Sequence, residues 1–596
     1  MCGIFAYIGS RDDAAKLTLR GLKSLEYRGY DSWGVAVNTS DGIFIERSTG
    51  KISGVSNGIF DAIRGHAALG HSRWATHGGV SVANAHPHAN KGQTIAVVHN
   101  GIIENHQELR TFLVRELGKG DPTLFVSETD TEVIPHLIDY YMSREGKTFE
   151  EAFVLTARRL RGRSAIVAID RDTDHLLAMR DGSPLVLGIG EGGTYLASDV
   201  PAFLEYTQAV NYLDDREYVK VSSSGYVIKS IDSGEEITPR IEEITWAKDH
   251  ATKSGYDHYM LKEIMEQPDS LARALLQDED ILLRVANLLR TRRAMFTGCG
   301  TAAKMSMIGA EFMNRIGEKF VTPFFASEFP SYLPWLVDDG LLLAVSQSGE
   351  TADVLEAMQH AKKKGTKLVS LLNVVGSSMH RMSDEVLFIN AGPERAVAST
   401  KAATAQIAVL FLFAHAYRGS FAEGSMLLRD VVAKVKAWIN IELVRSIWAV
   451  AEGIKNENDI YIIGRGLNYP VALESAIKIQ EVSYVHAEGF AGGELKHGPI
   501  ALIRKGSPCI AFVPNDETQD DMVSNATELK ARGGHIIGVS PVRHAVFDEW
   551  IATPDLGDLS PIAGIIPIQI LAYHLSVFRG NDPDMPRNLA KSVTVK

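Results

Sequence analysis

Phe296-Thr297-Gly298-Cys299-Gly300 and Ile462-Ile463-Gly464-Arg465-Gly466 are two apolar runs that each end in a Gly-x-Gly turn, and the second reads as a copy of the first. Two more pairs follow in the same order. Ala326-Ser327-Glu328-Phe329 resembles Ala487-Glu488-Gly489-Phe490, and Leu343-Ala344-Val345 through Gly349-Glu350-Thr351 parallels Ala511-Phe512-Val513 through Asp516-Glu517-Thr518. The spacing of roughly 160 to 170 residues is too long for a solenoid repeat and right for a duplicated domain. One Gly-x-Gly after a strand is common; three pairs in order are not chance. Apolar strands alternate here with long amphipathic helices, the pattern of parallel α/β units. The sequence predicts two related α/β domains, at 258–430 and 431–596.

Residues 1–240 read differently. Short β-type runs such as Gly34-Val35-Ala36-Val37, Thr94-Ile95-Ala96-Val97-Val98 and Ser164-Ala165-Ile166-Val167-Ala168-Ile169 are separated by Gly, Asn and Asp turns, which predicts a mainly β layered domain with a few helices. Between the two parts, 241–257 loses its period and turns charged, as a linker does. The whole is a multidomain α+β and α/β chain, since 596 residues exceed what one core holds.

Composition narrows the partners. With 61 basic and 73 acidic groups the net charge is −12, and no strong basic run offsets it, so nucleic acid is not an expected partner. The 3 cysteines, at 2, 299 and 509, form neither a disulfide framework nor a zinc spacing. A reducing cytoplasm and no metal are the expectation. No charged-then-apolar signal segment opens the chain, and the apolar runs Ala402 to Tyr417 and Ile562 to Phe578 are short or interrupted by Gln, His or Pro, so no membrane is expected either.

The chemistry begins at Met1-Cys2-Gly3-Ile4-Phe5. The small side chain beside the initiator methionine predicts removal of Met1, which makes Cys2 the amino terminus. A free α-amine with a pKa of roughly 7.7 to 8.0 then lies close to a thiol of roughly 8.5, so nucleophile and proton acceptor share one residue. His99-Asn100-Gly101 follows a predicted strand, so the Asn100 amide and the Gly101 N–H can both point at a developing oxyanion; taken alone, Asn-Gly is usually only a turn. Arg73, in Arg73-Trp74-Ala75-Thr76-His77-Gly78, offers a bidentate grip for an α-carboxylate, and Asp130, in Ser127-Glu128-Thr129-Asp130, a partner for an α-ammonium. An amino-acid substrate needs both.

With Glu26-Tyr27-Arg28-Gly29-Tyr30-Asp31-Ser32, His71-Ser72 and Ile102-Ile103-Glu104-Asn105-His106 added, these segments resemble the glutaminase domain of the glucosamine-6-phosphate synthase family, also called glutamine–fructose-6-phosphate aminotransferase (isomerising). The resemblance implies an N-terminal nucleophile domain of the class II glutamine amidotransferase kind. It makes Cys2 the nucleophile, Asn100 and Gly101 the oxyanion hole, and Arg73, Thr76, His77 and Asp130 the glutamine site, with Trp74 gating the passage of ammonia. Trp33 departs from the family, which carries a small residue after Ser32.

In the first α/β domain, Leu341 to Val345 reads as a buried strand, Ser346-Gln347-Ser348-Gly349-Glu350 as a loop and Thr351 onward as a helix. Hydroxyls and backbone amides at a helix start form an anion site without a cation. An ordinary helix cap accounts for one such hydroxyl, less well for three. Cys299-Gly300-Thr301 marks another strand-to-helix turn and Val397-Ala398-Ser399-Thr400-Lys401 the start of a third helix; together they suggest a phosphosugar pocket.

In the second α/β domain, Lys478 and Glu481 share a helix face on a helix from about Pro470 to His486. Moving a proton between adjacent sugar carbons needs a carboxylate base and a nearby cation for the enolamine-like intermediate. His497 is suited to open a sugar ring, and Lys591, in the tail Arg587-Asn588-Leu589-Ala590-Lys591-Ser592-Val593-Thr594-Val595, to form a Schiff base with a ketose if its pKa is lowered. A pair at this spacing is most often a solvent salt bridge, and a tail lysine is normally just solvated.

These segments resemble the paired sugar-isomerase (SIS) α/β sandwich domains of the same family, so the resemblance covers nearly the whole chain. It assigns Thr301, Ser346, Gln347, Ser348, Thr351, Val397 and Ser399 to fructose 6-phosphate, Glu481 to proton transfer, Lys478 to its support, His497 to ring opening and Lys591 to the Schiff base. It implies glutamine and fructose 6-phosphate as substrates, glucosamine 6-phosphate and glutamate as products, and the first step of hexosamine synthesis, with no cofactor. His497 would be supplied across a homodimer interface. Ala302, where the family has serine, and Gln480, where lysine is common, are departures. Rival readings fit less well: an amidotransferase making phosphoribosylamine or asparagine needs a pyrophosphate or ATP loop that the sequence lacks. A phosphosugar-sensing regulator would not need Cys2, Asn100, Glu481 and Lys591 together. A paralogue or deglycase acting on another phosphosugar is kept open by Ala302.

Overall fold

The computed structural model describes residues 2–75, 77–244 and 253–594. The chain falls into two compact units, Met1–Asp249 with Ala590–Lys596, and His250–Leu589.

The first unit holds two antiparallel sheets, of eight and seven strands. Strand Gly3–Gly9 explains the layering, because all seven of its residues are buried. Phe5 and Tyr7 enter one core with Leu17, Leu19 and Leu22 of helix Ala14–Ser24, while Ile4, Ala6 and Ile8 enter another with Val98 and Val167 of the second sheet. A strand apolar on both faces requires cover on both. The second sheet repeats the logic: Ala96 and Val98 face inward, and Ile95 and Val97 join helices Val133–Glu145 and Phe149–Arg159. Helix, sheet, sheet and helix stack in four layers. Trp33, the bulky departure after Ser32, is 3% exposed and packs in the same core as Phe5. Inside the segment expected to be a linker, Glu242 and Glu243 pair with Val210 and Ala209, so the first sheet runs on into it; 245–252 lie outside the described residues.

The second unit contains two five-stranded parallel sheets with one strand order. In the first it is Thr322–Phe325, Arg293–Gly298, Gly340–Val345, Lys367–Leu372, Glu385–Phe388. In the second it is His486–Ala491, Asp459–Gly464, Pro508–Phe512, His535–Ser540, Glu549–Ala552. The duplication is thus one of topology as well as of sequence. One pair drifts: Ala487 to Phe490 lie within a strand, whereas Ala326 to Phe329 lie in the 3-10 helix after the corresponding strand. The tail from Ala590 also groups with the first unit, outside the second α/β domain in which the sequence had placed it.

Each first strand leads into a 16-residue helix, Gly300–Arg315 and Asn468–Ser483, and these two helices pack against each other. Helices Lys401–Arg418 and Ser560–Phe578 fill the core that both sheets share. The stretch Gly557–Phe578 is long and apolar enough to cross a membrane, yet 89% of its apolar window is buried inside the fold. A central core helix is apolar all round for that reason.

Candidate active sites

Pairing of Gly3 with Ser72 brings Cys2 beside the end of strand Ala67–Arg73. The Trp74 N–H donates to Cys2 Sγ at 3.3 Å, and Sγ lies 3.5 Å from the Trp74 carbonyl. Burial pushes the thiol pKa up, while the Trp74 N–H and the guanidinium groups of Arg73 and Arg28 pull it down. Asn100 Nδ2 donates to the Cys2 carbonyl at 3.0 Å and to Ser198 Oγ at 2.8 Å. Its Oδ1 accepts from His71 Nε2 at 3.0 Å, so the amide is held at both ends. His71 Nε2 also faces the His99 carbonyl at 3.0 Å, and with two acceptors in front of it that nitrogen carries the hydrogen. Burial holds His71 at about 3, hence neutral, and its ring stacks on His86 at 4.1 Å between centroids. Gly101 has φ +131°, and a Cβ there would stand 1.9 Å from the Arg163 carbonyl oxygen, so glycine alone fits.

The Arg73 guanidinium, 3% exposed, donates to the carbonyls of His77, of Gly78 at 3.0 Å and of Gly79 at 3.1 Å. It is therefore pinned inside its own loop, and a ligand carboxylate would have to share it with those oxygens. Asp130 accepts from the Ile103 N–H at 2.7 Å, two residues beyond Gly101. His77 lies half-buried, edge-on to His106 at 5.5 Å. Trp74 is half-buried, and Thr76 lies outside the described residues. Ser198 and His71, which clamp Asn100, are missing from the sequence-derived set. His71 stood in a quoted segment; Ser198, nearly a hundred residues away, left no local signal.

In the second unit, strand Gly340–Val345 leads into the hydroxyl turn. Ser346 Oγ accepts from the Gly349 N–H at 3.0 Å, Ser348 Oγ from the Glu350 N–H at 3.2 Å, and Ser346 and Thr351 hydroxyls stand 3.4 Å apart. Gly349 sits at φ +67°, which favours glycine. Helix Ala352–Lys363 begins after Thr351, whose hydroxyl does not cap it. The Gln347 carbonyl accepts from the Asn373 N–H at 3.2 Å. Val397 and Ser399 precede, rather than begin, the third helix, which starts at Lys401. Glu394 shapes that approach, accepting from Ser399 Oγ at 3.2 Å, Thr400 N at 2.9 Å and Ala402 N at 3.0 Å.

The two 16-residue helices meet at Thr301 and Lys478. Thr301 Oγ1 donates to Glu474 Oε1 at 2.9 Å. Lys478 Nζ lies 2.9 Å from Glu481 Oε2, 3.3 Å from Glu474 Oε1 and 3.4 Å from Thr301 Oγ1. Despite burial, those carboxylates hold the Lys478 ammonium well above its usual range. Burial pushes Glu474 up, and its Oε2 has no hydrogen bond among the described residues. Glu474 is missing from the sequence-derived set, although it stands four residues before Lys478 on the same face. Glu481 keeps 24% of its side chain exposed. Gln480, next to it, is exposed and donates to the Ala487 carbonyl at 2.6 Å. His497 is exposed on a 3-10 turn, and Lys591 is half-buried within the first unit. Among the described residues no three His, Cys, Asp or Glu side chains gather as metal ligands would.

Comparison with known proteins finds two kinds of domain along the chain. A glutamine amidotransferase domain model matches 71–205, and a SIS domain model matches 287–416 and again 453–543. The chain is 44% identical over its full length, and over all of the relative, to the glutamine–fructose-6-phosphate aminotransferase [isomerizing] of Thermococcus kodakarensis. Its likeness to the Pyrococcus horikoshii protein of the same name is also 44% over both full lengths. Among solved structures, the C-terminal domain of glucosamine-fructose-6-phosphate aminotransferase from Francisella tularensis superposes with a TM-score of 0.51 at 34% identity, covering 56% of this chain and 99% of that one. On full-length identity of this order, the chain belongs to the glutamine–fructose-6-phosphate aminotransferase (isomerizing) family.

Proposed function

We propose that this protein transfers the amide nitrogen of L-glutamine to D-fructose 6-phosphate and isomerises the adduct to D-glucosamine 6-phosphate, releasing L-glutamate. In this reading 1–240 hydrolyses glutamine and 258–430 with 431–596 handles the sugar. The full-length likeness to enzymes of that name supports it. So does the geometry at Cys2, where a half-buried cysteine has, hydrogen-bonded to its own carbonyl, an amide donor fixed by His71 and Ser198.

The steps follow from the residues. The Cys2 thiolate adds to the glutamine amide carbon, its proton passing to the α-amine freed by removal of Met1. The carbonyl pair moves to oxygen, where the Asn100 amide and the Gly101 N–H receive it. The α-ammonium returns the proton to the amide nitrogen as the oxyanion pair re-forms the C=O bond, so ammonia leaves, and water then releases glutamate from the thioester. Arg73, Thr76, His77 and Asp130 hold the amino acid, and Trp74 guards the passage of ammonia. At the sugar, Thr301, Ser346, Gln347, Ser348, Thr351, Val397 and Ser399 hold the phosphate and hydroxyls. His497 opens the ring, and Lys591 forms the Schiff base that ammonia displaces. Glu481 then takes the C1 proton; the C–H pair becomes the C1=C2 bond, and the C2=N pair neutralises the iminium nitrogen. Return of that proton to C2, with O1 passing its own to solvent water, gives the amino aldehyde.

A homodimer and a cytoplasmic location complete the proposal. The exposed His497 ring, which makes no hydrogen bond among the described residues, suits a residue lent to a second copy. The test is to supply glutamine and fructose 6-phosphate to wild type and Cys2→Ala and to measure glutamate and glucosamine 6-phosphate together. Equal amounts from wild type and neither from the variant are expected. Glutamate without amino sugar would refute the sugar substrate.

A further inference from the structure

The isomerisation calls for a cation near the reacting sugar oxygens, and Lys478 is already fully engaged. An ammonium has three N–H donors. Those of Lys478 face Glu481 at 2.9 Å, Glu474 at 3.3 Å and Thr301 at 3.4 Å, and the side chain is 1% exposed. It can reach a substrate only by abandoning one of these. A second ammonium lies on the same seam. Lys304 stands three residues after Thr301 on helix Gly300–Arg315, so the two share a face. Lys304 is 8% exposed and packs over the Phe325 ring at 4.8 Å from its centroid. Among the described residues it has neither an ion pair nor a hydrogen bond. A cation so deeply buried is normally paired with a carboxylate, and here, among the described residues, the Phe325 ring alone answers it. Burial pushes its pKa down, while Glu474 and Glu481 work to keep it charged. Ala302, on the intervening turn, offers no hydroxyl to a ligand.

We propose that Lys304 is a catalytic cation of the sugar reaction, donating from its free ammonium to the C1 oxygen of the open-chain phosphosugar while Glu481 moves the proton between C1 and C2. This rests on the assignment of the Thr301–Lys478 seam to that reaction. The geometry supports it: Lys478 is held by two carboxyl groups, Glu474 at 3.3 Å and Glu481 at 2.9 Å, whereas Lys304 is held by neither. When the O1 proton passes to solvent water and C1=O forms, the negative charge that builds on O1 falls to Lys304, whose own proton stays on nitrogen.

The test compares Lys304→Met and Lys304→Arg with wild type, measuring kcat and KM for fructose 6-phosphate, glutamate release and Tm. A donor to an oxygen that gains charge only in the transition state lowers kcat more than it raises KM. Glucosamine 6-phosphate turnover should fall about 100-fold in Lys304→Met, by the measure of other oxyanion donors, with KM within about threefold. Lys304→Arg, which keeps a cation, should retain at least about a fifth of wild-type kcat, and glutamate release should stay within about twofold in both, since it depends on the Cys2 site. Wild-type kcat in Lys304→Met, or an equal loss in Met and Arg variants tracking Tm, overturns the role. A wild type that releases glutamate but makes no amino sugar overturns instead the reading on which it rests.

Discussion

The two polar clusters of this chain are built on opposite principles. Around Cys2 the buried imidazoles that brace the site are neutral, although charged Arg28 and Arg73 lie beside them: His71 and His88 are held at about 3, and His86 and His99 are also depressed by burial. On the Thr301–Lys478 seam the buried groups are ionic, with Lys478 between Glu474 and Glu481. The difference suits the proposed chemistry. An oxyanion hole needs dipoles fixed before charge arrives, and neutral imidazoles fix an amide without competing for that charge. A proton moved between carbons needs a standing carboxylate and a standing cation, which the interior tolerates only as a network.

The largest effect that sharpens the contrast is expected at the ionic cluster. Glu481→Gln should lower glucosamine 6-phosphate turnover about 10³-fold while glutamate release persists, since a general base is worth up to four decades. Turnover within tenfold of wild type would remove Glu481 from the reaction. At the neutral cluster, Asn100→Ala should slow glutamate release about 100-fold with little change in the KM for glutamine, as loss of one oxyanion donor does. A rise in KM alone would reassign Asn100 to binding.

Acid separates the clusters next. His71 and His88 have folded pKa values near 3 against about 6.5 unfolded, so the unfolded chain binds their protons first. Their contribution is complete above about pH 6.5 and is lost progressively as pH falls towards 3. Urea unfolding at pH 5.5 should show the first unit weaker by about 2.5 kcal/mol than at pH 7.5, given about 1.4 kcal/mol per pH unit per histidine. An unchanged midpoint for that unit would mean its imidazoles are not neutral. The smallest effect lies between the duplicated turns: Ser346→Ala should raise the KM for fructose 6-phosphate about tenfold, the worth of one hydrogen bond, whereas Thr518→Ala should not change it. Equal effects would make the second turn a binding site too.

That last pair shows how far the sequence alone could reach. The duplication was legible because Gly-x-Gly turns and buried strands are local features, and both sheets indeed share one strand order. The divergence of the copies was also written in the residues: Glu350-Thr351 and Glu517-Thr518 are common to both turns, but Ser346-Gln347-Ser348-Gly349 in one stands against Pro514-Asn515-Asp516 in the other. What those acids do was not legible. Glu517 pairs at 2.7 Å with Arg315, which also reaches Asp558 at 3.4 Å, so the second turn is tied to a helix of the first domain. Asn100 was legible as a motif, but its clamp brings in His71 and Ser198, 29 and 98 positions away. Likewise Lys478 and Glu481 were visible as a helix face, while the saturation of Lys478 depends on Thr301 from another domain. Local spacing reveals what an element carries; only tertiary packing reveals which donors are spent.

The decisive measurement follows the nitrogen. Wild-type protein is incubated with amide-15N glutamine and fructose 6-phosphate in an excess of unlabelled ammonium, and the glucosamine 6-phosphate is weighed by mass spectrometry. Nearly full 15N incorporation, at one amino sugar per glutamate, is the predicted result. Unlabelled amino sugar, or glutamate with no amino sugar, would contradict the transfer of glutamine nitrogen to this sugar by this chain.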